Sequence, residues 1–407
     1  MKSWLTLVAR SQRNCNSDAH GRDRRGCPIL NIMRSFCFLF FALGMQTAAG
    51  QSSNSTPAPS VEALLSAGIA AQQRHDYKTA IEDYGKVLAV APKEGEARAN
   101  LGAALAAVGQ FDAAIDEDTR ALDTAPDKTA VRLNLALAYY KKGDMDHAHT
   151  EFELVHAARP ADRKTAVLLG YTDIKLNKDA DAAQMLAPLE PGHESDMDFE
   201  YVLGLAMIGS GKDTEGLPRM ETVARTTRSV DAYFIAGSAR MHRIEFREAR
   251  ADLDAALEIN PSFPGLYTLA GQARDALGDT DASVPAFEAA LREDPRDATA
   301  NLYLGVTRLK QRDFAGARPL LELALELRPG HSPTRLQLAK LDSMTGKYAE
   351  AAATLEDLEK NDPAWLDPHV ELATIYYKLH RPADGDRERE IVRQIEAKQQ
   401  QAGPPKD

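Results

Sequence analysis

Between residues 100 and 160 apolar side chains recur three and four apart, in runs of helical period interrupted by glycine turns. The stretch "NLALAYYKKGDMDHAHTEFELVHAARP", residues 134–160, carries Ala136 and Tyr139 in one run and Ala148 and Phe152 in the next. Gly143-Asp144 breaks the period between them and Pro160 ends the second run. Two short amphipathic helices around a turn are therefore predicted, and helices this short cannot bury their apolar faces alone. The same layout stands 34 residues earlier, where Gly102, Leu105, Gly109, Ala114 and Pro126 fall on Ala136, Tyr139, Gly143, Ala148 and Pro160. It returns in residues 303–329. A period of this length, made of two helices and a closing proline, marks a helical solenoid.

The pattern resembles the tetratricopeptide repeat. Counted from the start of a repeat, that family has a large residue at position 4, Leu or Ala at 7 and Gly or Ala at 8. It continues with Tyr at 11, Gly at 15, Ala at 20, an aromatic at 24, Ala at 27 and Pro at 32. The first copy, from Val61, shows Leu64, Ala67, Gly68, Ala80, Tyr84 and Pro92 in these places. Good copies follow from Gly95, Thr129, Val230, Pro264, Ala298 and Ser332, with Gly102, Ala136, Gly237, Gly271, Gly305 and Ala339 at position 8. Units from Arg163 and Met197 are degraded: "LEPGHESD" at 189–196 replaces the end of one second helix, and Gly216 stands where Ala is expected. A tenth unit from Leu366 runs into the charged "DGDREREIVRQIEAKQQQ", which reads as the polar cap that an open solenoid end needs.

The resemblance implies an all-α, right-handed superhelix (α-solenoid) of antiparallel helix pairs with a C-terminal capping helix. Two blocks are expected, residues 61–196 with repeats one to four and 197–396 with repeats five to ten and the cap, followed by a polar tail 397–407. Small residues at positions 8 and 20 permit close helix approach and the aromatics at 11 and 24 fill the remaining gaps. Pro218, Pro285 and Pro319 share position 22, which is tolerable among the first four amides of a helix if the second helix starts near position 18.

The front of the chain differs. From Met33, "MRSFCFLFFALGMQTAAGQ" has a basic start, an apolar run and small residues, the layout of a signal peptide at 33–50. The apolar run is too short for a stable transmembrane span. Residues 1–32 are expected to be a misassigned or extended N-terminus, and 51–60 a Ser/Pro linker. Cys15, Cys27 and Cys37 all precede Gln51, so the mature chain would hold no disulfide. A periplasmic or secreted location is expected, with a cytoplasmic chain or an uncleaved membrane anchor as alternatives.

Removing residues 1–50 takes the net charge from −11 to −16, with 42 basic and 58 acidic residues. An acidic surface argues against general nucleic-acid binding, which uses basic patches to displace counterions. His147 and His149 are two apart on a predicted helix and so point to different faces, with His156 beyond them; solvent-facing histidines rather than a metal site are expected. There is no Gly-rich phosphate loop, nucleophile elbow or Cys-x-x-C pair. No catalytic residue, cofactor or metal is expected, and the chain reads as a non-enzyme.

In the family, positions 2, 5, 9 and 12 of the first helix line a concave groove that takes partner peptides. Those positions give an apolar strip here: Leu133, Leu137, Tyr140, Tyr171, Ile174, Tyr201, Leu205, Phe234 and Met241. Packing of adjacent first helices competes for the same side chains. A basic carboxylate clamp is not expected, because Leu65 and Ile69 stand where it would need Lys and Asn. The reading is an exported scaffold or adaptor for a protein or peptide partner, possible roles being envelope assembly or secretion. The alternatives are a regulatory or substrate-holding subunit of a separate enzyme, since such repeats also occur fused to transferases, or a cytoplasmic adaptor.

Overall fold

Each repeat begins and turns where its sequence offers the right backbone chemistry. The computed structural model describes residues 60–192 and 195–402. The signal segment 33–50, the three cysteines and nearly all of the 51–60 linker lie outside the described residues. The helices are α1 (Val61–Gln73), α2 (Tyr77–Val90), α3 (Gly95–Ala107), α4 (Phe111–Thr124), α5 (Lys128–Lys142), α6 (Met145–Ala158) and α7 (Arg163–Lys175). They continue as α8 (Asp179–Leu186), α9 (Met197–Gly209), α10 (Asp213–Thr227), α11 (Val230–His242), α12 (Phe246–Ile259), α13 (Leu266–Ala276) and α14 (Thr280–Glu293). The last six are α15 (Ala298–Lys310), α16 (Phe314–Leu327), α17 (Ser332–Met344), α18 (Tyr348–Asn361), α19 (Leu366–Lys378) and α20 (Pro382–Ala402). No strand occurs among the described residues, so the fold is an all-α array of helix pairs. Odd-numbered helices are the first of each pair. Only α5 and α13 start off the residue the repeat register names, by one and two positions.

Aspartates start many of the helices. Asp76, Asp127, Asp144, Asp162, Asp196, Asp279, Asp297 and Asp313 each accept a bond from a first-turn amide that has no partner inside its helix. Part of the acidic excess is therefore capping. Position 15 turns the chain between the two helices, and it is left-handed in all ten repeats. Glycine holds it in five of them, as Gly143 at φ 90° shows. The other five carry His75, Asn177, Ile244, Arg312 and His380 at φ 58–64°.

Position 8 meets position 24 across each pair. A Cβ on Gly68 would come within 2.6 Å of Tyr84, on Gly271 within 2.6 Å of Phe287 and on Gly305 within 2.9 Å of Leu321. The position-24 side chain is fully buried in repeats one to nine. In the second repeat it is Asp118, whose carboxyl lies against Gly102 and whose two oxygens have no hydrogen-bond partner among the described residues.

The prolines at position 22 correct an expectation. Helices α10, α14 and α16 start at position 17, so Pro218, Pro285 and Pro319 are sixth residues, beyond the first four amides. Each ring removes an intrahelical bond to Thr214, Asp281 or Ala315. Those three residues are exposed, so water is at hand for the released carbonyls. The degraded fourth unit is shortened as its sequence suggests: α8 has 8 residues and ends in a 3₁₀ turn at Ala187–Leu189, against 14 in α6.

The described chain forms two compact units, residues 60–239 and 240–402, and the division falls inside α11 after Ala239. Within the first unit each helix from α1 to α10 packs on its neighbours in sequence, and first helices of consecutive repeats also touch, as α3·α5 and α7·α9 do. The second unit repeats this from α12 to α20, with contacts α13·α15, α15·α17 and α17·α19. Its apolar interior is a row of small clusters, such as Leu355, Leu358, Leu372, Ile375 and Tyr376 near the C-terminal end.

Candidate protein-binding face

The predicted strip lies on the first helices of repeats three to six. Leu133, Leu137 and Tyr140 are on α5, Tyr171 and Ile174 on α7, Tyr201 and Leu205 on α9, and Phe234 and Met241 on α11. The repeat register places position 12 of one helix beside position 9 of the next, and the Tyr140 and Tyr171 rings stand 6.2 Å apart at 52°. Lys175 Nζ lies 5.0 Å from the Tyr171 ring centroid, so this aromatic pair also meets a cation.

Burial along the strip is uneven. Tyr201 is 0% exposed, Leu205 2%, Phe234 4%, Tyr171 5%, Ile174 8% and Tyr140 9%. Leu133 and Leu137 are half-buried, and so is Met241, which belongs to the second unit. Thr165–Ile174 and Phe199–Ile208 are buried on every face of α7 and α9, which fits their nearly unbroken apolar sequence. In this structure the accessible part of the first unit's strip is thus the one-turn pair Leu133 and Leu137.

Polar side chains organise the same helices. Position 4 of the first helix pairs with position 23 of the second in four repeats. Arg98 donates to Glu117 at 2.5 Å, Arg132 to Glu151 at 2.7 Å, and Arg219 to Glu200 at 2.8 Å with the signs exchanged. His369 and Glu388 make the fourth pair, at 2.7 Å. The recurrence of opposite charges 19 residues apart was the signal available in the sequence.

A second ladder joins position 25 of one repeat to position 11 of the next. Arg274 donates to Asp254 at 2.6 Å, Arg308 to Glu288 at 3.3 Å and Tyr376 to Glu356 at 2.8 Å. At one junction Arg318, from position 21, bridges Glu322 at 3.4 Å and Asp342 at 2.6 Å. His149 holds the equivalent place in the first unit, 2.8 Å from Asp173 and 3.5 Å from Glu153. It is therefore not solvent-facing as expected, and its side chain is only 12% exposed. Burial, against the pull of His149, pushes Asp173 up to about 6. His147 is exposed, beside Asp144 at 2.8 Å and stacked on Tyr139 at 4.9 Å; His156 is half-buried.

Residues 65–129, 107–163, 268–332 and 308–374 match models of the tetratricopeptide repeat. The chain belongs to the tetratricopeptide repeat family. Over 151 residues, 36% of this chain, it is 26% identical to the mouse protein O-mannosyl-transferase TMTC1. Over 103 residues, 25% of this chain, it is 30% identical to the human PEX5-related protein. Each alignment covers 16% of the relative, so the chain spans about a sixth of the length of these curated relatives. Among solved structures, a tetratricopeptide repeat protein from Parabacteroides merdae is 17% identical, with 61% of this chain and 98% of that one covered at a TM-score of 0.45. Yeast Tom70 is 15% identical, with 84% and 96% covered at a TM-score of 0.35. No described helix of this tetratricopeptide repeat chain is long and apolar enough to cross a membrane.

Proposed function

We propose that the chain is a protein-binding scaffold whose first unit receives a segment of a partner protein along its first helices. The observation that carries this is the continuity of apolar side chains from Leu133 and Leu137 to the Tyr140–Tyr171 ring pair across two repeats. Such a seat suits an amphipathic helix or an extended apolar segment, and its accessible end is the Leu133/Leu137 turn. Ile174, Tyr201, Leu205 and Phe234 continue the seat as buried packing that holds its shape. Residues 33–50 are proposed to direct export, so that the mature chain starts at Gln51; N-terminal sequencing of the purified protein tests this.

Burial decides how the binding test is designed. Charged substitutions at Tyr171, Tyr201 or Phe234 would unfold the repeats, whereas Leu133→Arg with Leu137→Arg alters half-buried positions. A photo-crosslinking residue at 133 is expected to label one discrete partner, and the purified partner is expected to lose at least tenfold in affinity for the double variant, with helicity unchanged by circular dichroism. Equal affinity for both proteins would overturn the assignment of this face. A second reading, as a subunit of a separate enzyme, takes its support from the similarity to an O-mannosyl-transferase. It predicts that the labelled partner is itself a transferase.

A further inference from the structure

Where the last repeat meets the terminal helix, three side chains from three helices converge. His369 stands in the first turn of α19, Glu388 on α20 and Glu359 near the end of α18. His369 Nδ1 is 2.7 Å from a Glu388 oxygen and 3.9 Å from a Glu359 oxygen, and one ligand atom from each residue lies within 4.8 Å of the other two. The His369 and Glu388 side chains are 1% and 5% exposed, and that of Glu359 is 28% exposed.

We propose that Glu359, His369 and Glu388 form a divalent metal site, with zinc as the fitting ion, that fastens the terminal helix α20 to the last repeat. Register supplies the first argument. At the same positions, 4 and 23, repeats two, three and five carry an arginine with a glutamate, a permanent cation with a single anion. Here the arginine is replaced by an imidazole and a second carboxylate has been brought in from the preceding repeat.

The imidazole's own bonds supply the second. His369 Nε2 lies 3.1 Å from the Pro363 carbonyl, which can only accept, so Nε2 donates there, and a metal at Nδ1 would take the place of the proton that Nδ1 shares with Glu388 at 2.7 Å. A backbone carbonyl on the far nitrogen is the usual way a metal-bound histidine is oriented.

Charge and geometry supply the third. With a metal in place of that proton, the imidazole is a neutral ligand and the two carboxylates bring two negative charges to a mostly buried place, which one divalent cation balances. Of the charged groups nearby, Arg387 pairs with Asp384 at 2.9 Å, and Glu356 accepts from Tyr376. Ligands held about 2.0–2.1 Å from a tetrahedral zinc stand about 3.3 Å from one another, between the 2.7 and 3.9 Å seen here. One nitrogen with two oxygens favours zinc over magnesium or calcium, and the exposed side at Glu359 admits a water as fourth ligand.

The site does not depend on the proposed binding face. The test is to strip the full chain with a chelator, titrate it with zinc ion alone and follow bound metal, thermal unfolding and amide exchange of residues 382–402. One zinc per chain is expected, with a raised unfolding temperature and slower exchange in α20. His369→Gln is expected to abolish binding. Glu359→Gln, which leaves the short His369–Glu388 contact in place and so preserves the fold, is expected to weaken it at least tenfold. Zinc bound equally by the wild type and Glu359→Gln, or no zinc bound by the folded wild type, would overturn the site and leave a hydrogen-bonded pair like those of the earlier repeats.

Discussion

Two residues occupy places where the repeat's chemistry asks for another. Asp118 fills the position-24 slot against Gly102, and burial, then the Glu117 carboxylate, hold its carboxyl well above the usual carboxylate range. Leu186 and Leu321 fill that slot opposite Gly170 and Gly305, so leucine fits it. Asp118→Leu removes a buried polar group with no described partner and is expected to raise stability by about 1–3 kcal/mol. Ile244, 73% exposed at φ 64°, is a β-branched residue in the left-handed conformation that five other repeats give to glycine. Ile244→Gly is expected to stabilise by about 1 kcal/mol, because the relief of strain exceeds the added entropy of the unfolded chain. Urea midpoints of the two variants check both expectations; a fall in either would mean that the native residue is stabilising where it stands.

At the scale of helices, the junction between α6 and α7 differs from its counterpart between α16 and α17 in one respect. Arg318 is permanently charged, whereas the equivalent place in the first unit holds the His149 imidazole, 2.8 Å from the Asp173 carboxyl. Asp173 rises from the ordinary 3.8 to about 6, so the folded state holds its proton more tightly than the unfolded chain does. The stability it contributes is therefore complete below about pH 4 and is lost as the pH rises through about 6. Asp173→Asn lacks this dependence. The stability of the wild type relative to the variant is expected to grow by roughly 1–3 kcal/mol from pH 8 to pH 4, read from unfolding midpoints across that range. A difference that shrinks on acidification would show that the ionised pair with His149 dominates.

At the scale of the whole molecule, an array whose repeats touch mainly their neighbours has no single core to melt at once. The tryptophans are Trp4 and Trp365, so in a chain starting at Gln51 fluorescence reports the last repeat alone while far-ultraviolet circular dichroism reports all helices. The two urea transitions are expected not to coincide. Coincident transitions would mean that the repeats unfold as one cooperative unit.

The sequence by itself determined the repeat register, the start of most first helices, the left-handed turn that glycine marks and the shortened fourth unit. These follow from interactions within a single helix pair, and ten copies of the same pattern reinforce one another. The Asp279 and Asp313 caps at position 16 mark the start of α14 and α16 at position 17, and even a start at position 18 leaves position 22 as a fifth residue, past the first four amides. Only the tertiary structure decided which side of each first helix is covered. The strip from Tyr171 to Phe234 has the same composition whether it faces a groove or packs, and its burial depends on how consecutive helices are rotated against one another. The partners of His149, and the convergence of Glu359, His369 and Glu388, were likewise illegible: helical periodicity places a side chain on a face, but only packing between helices decides what that face meets.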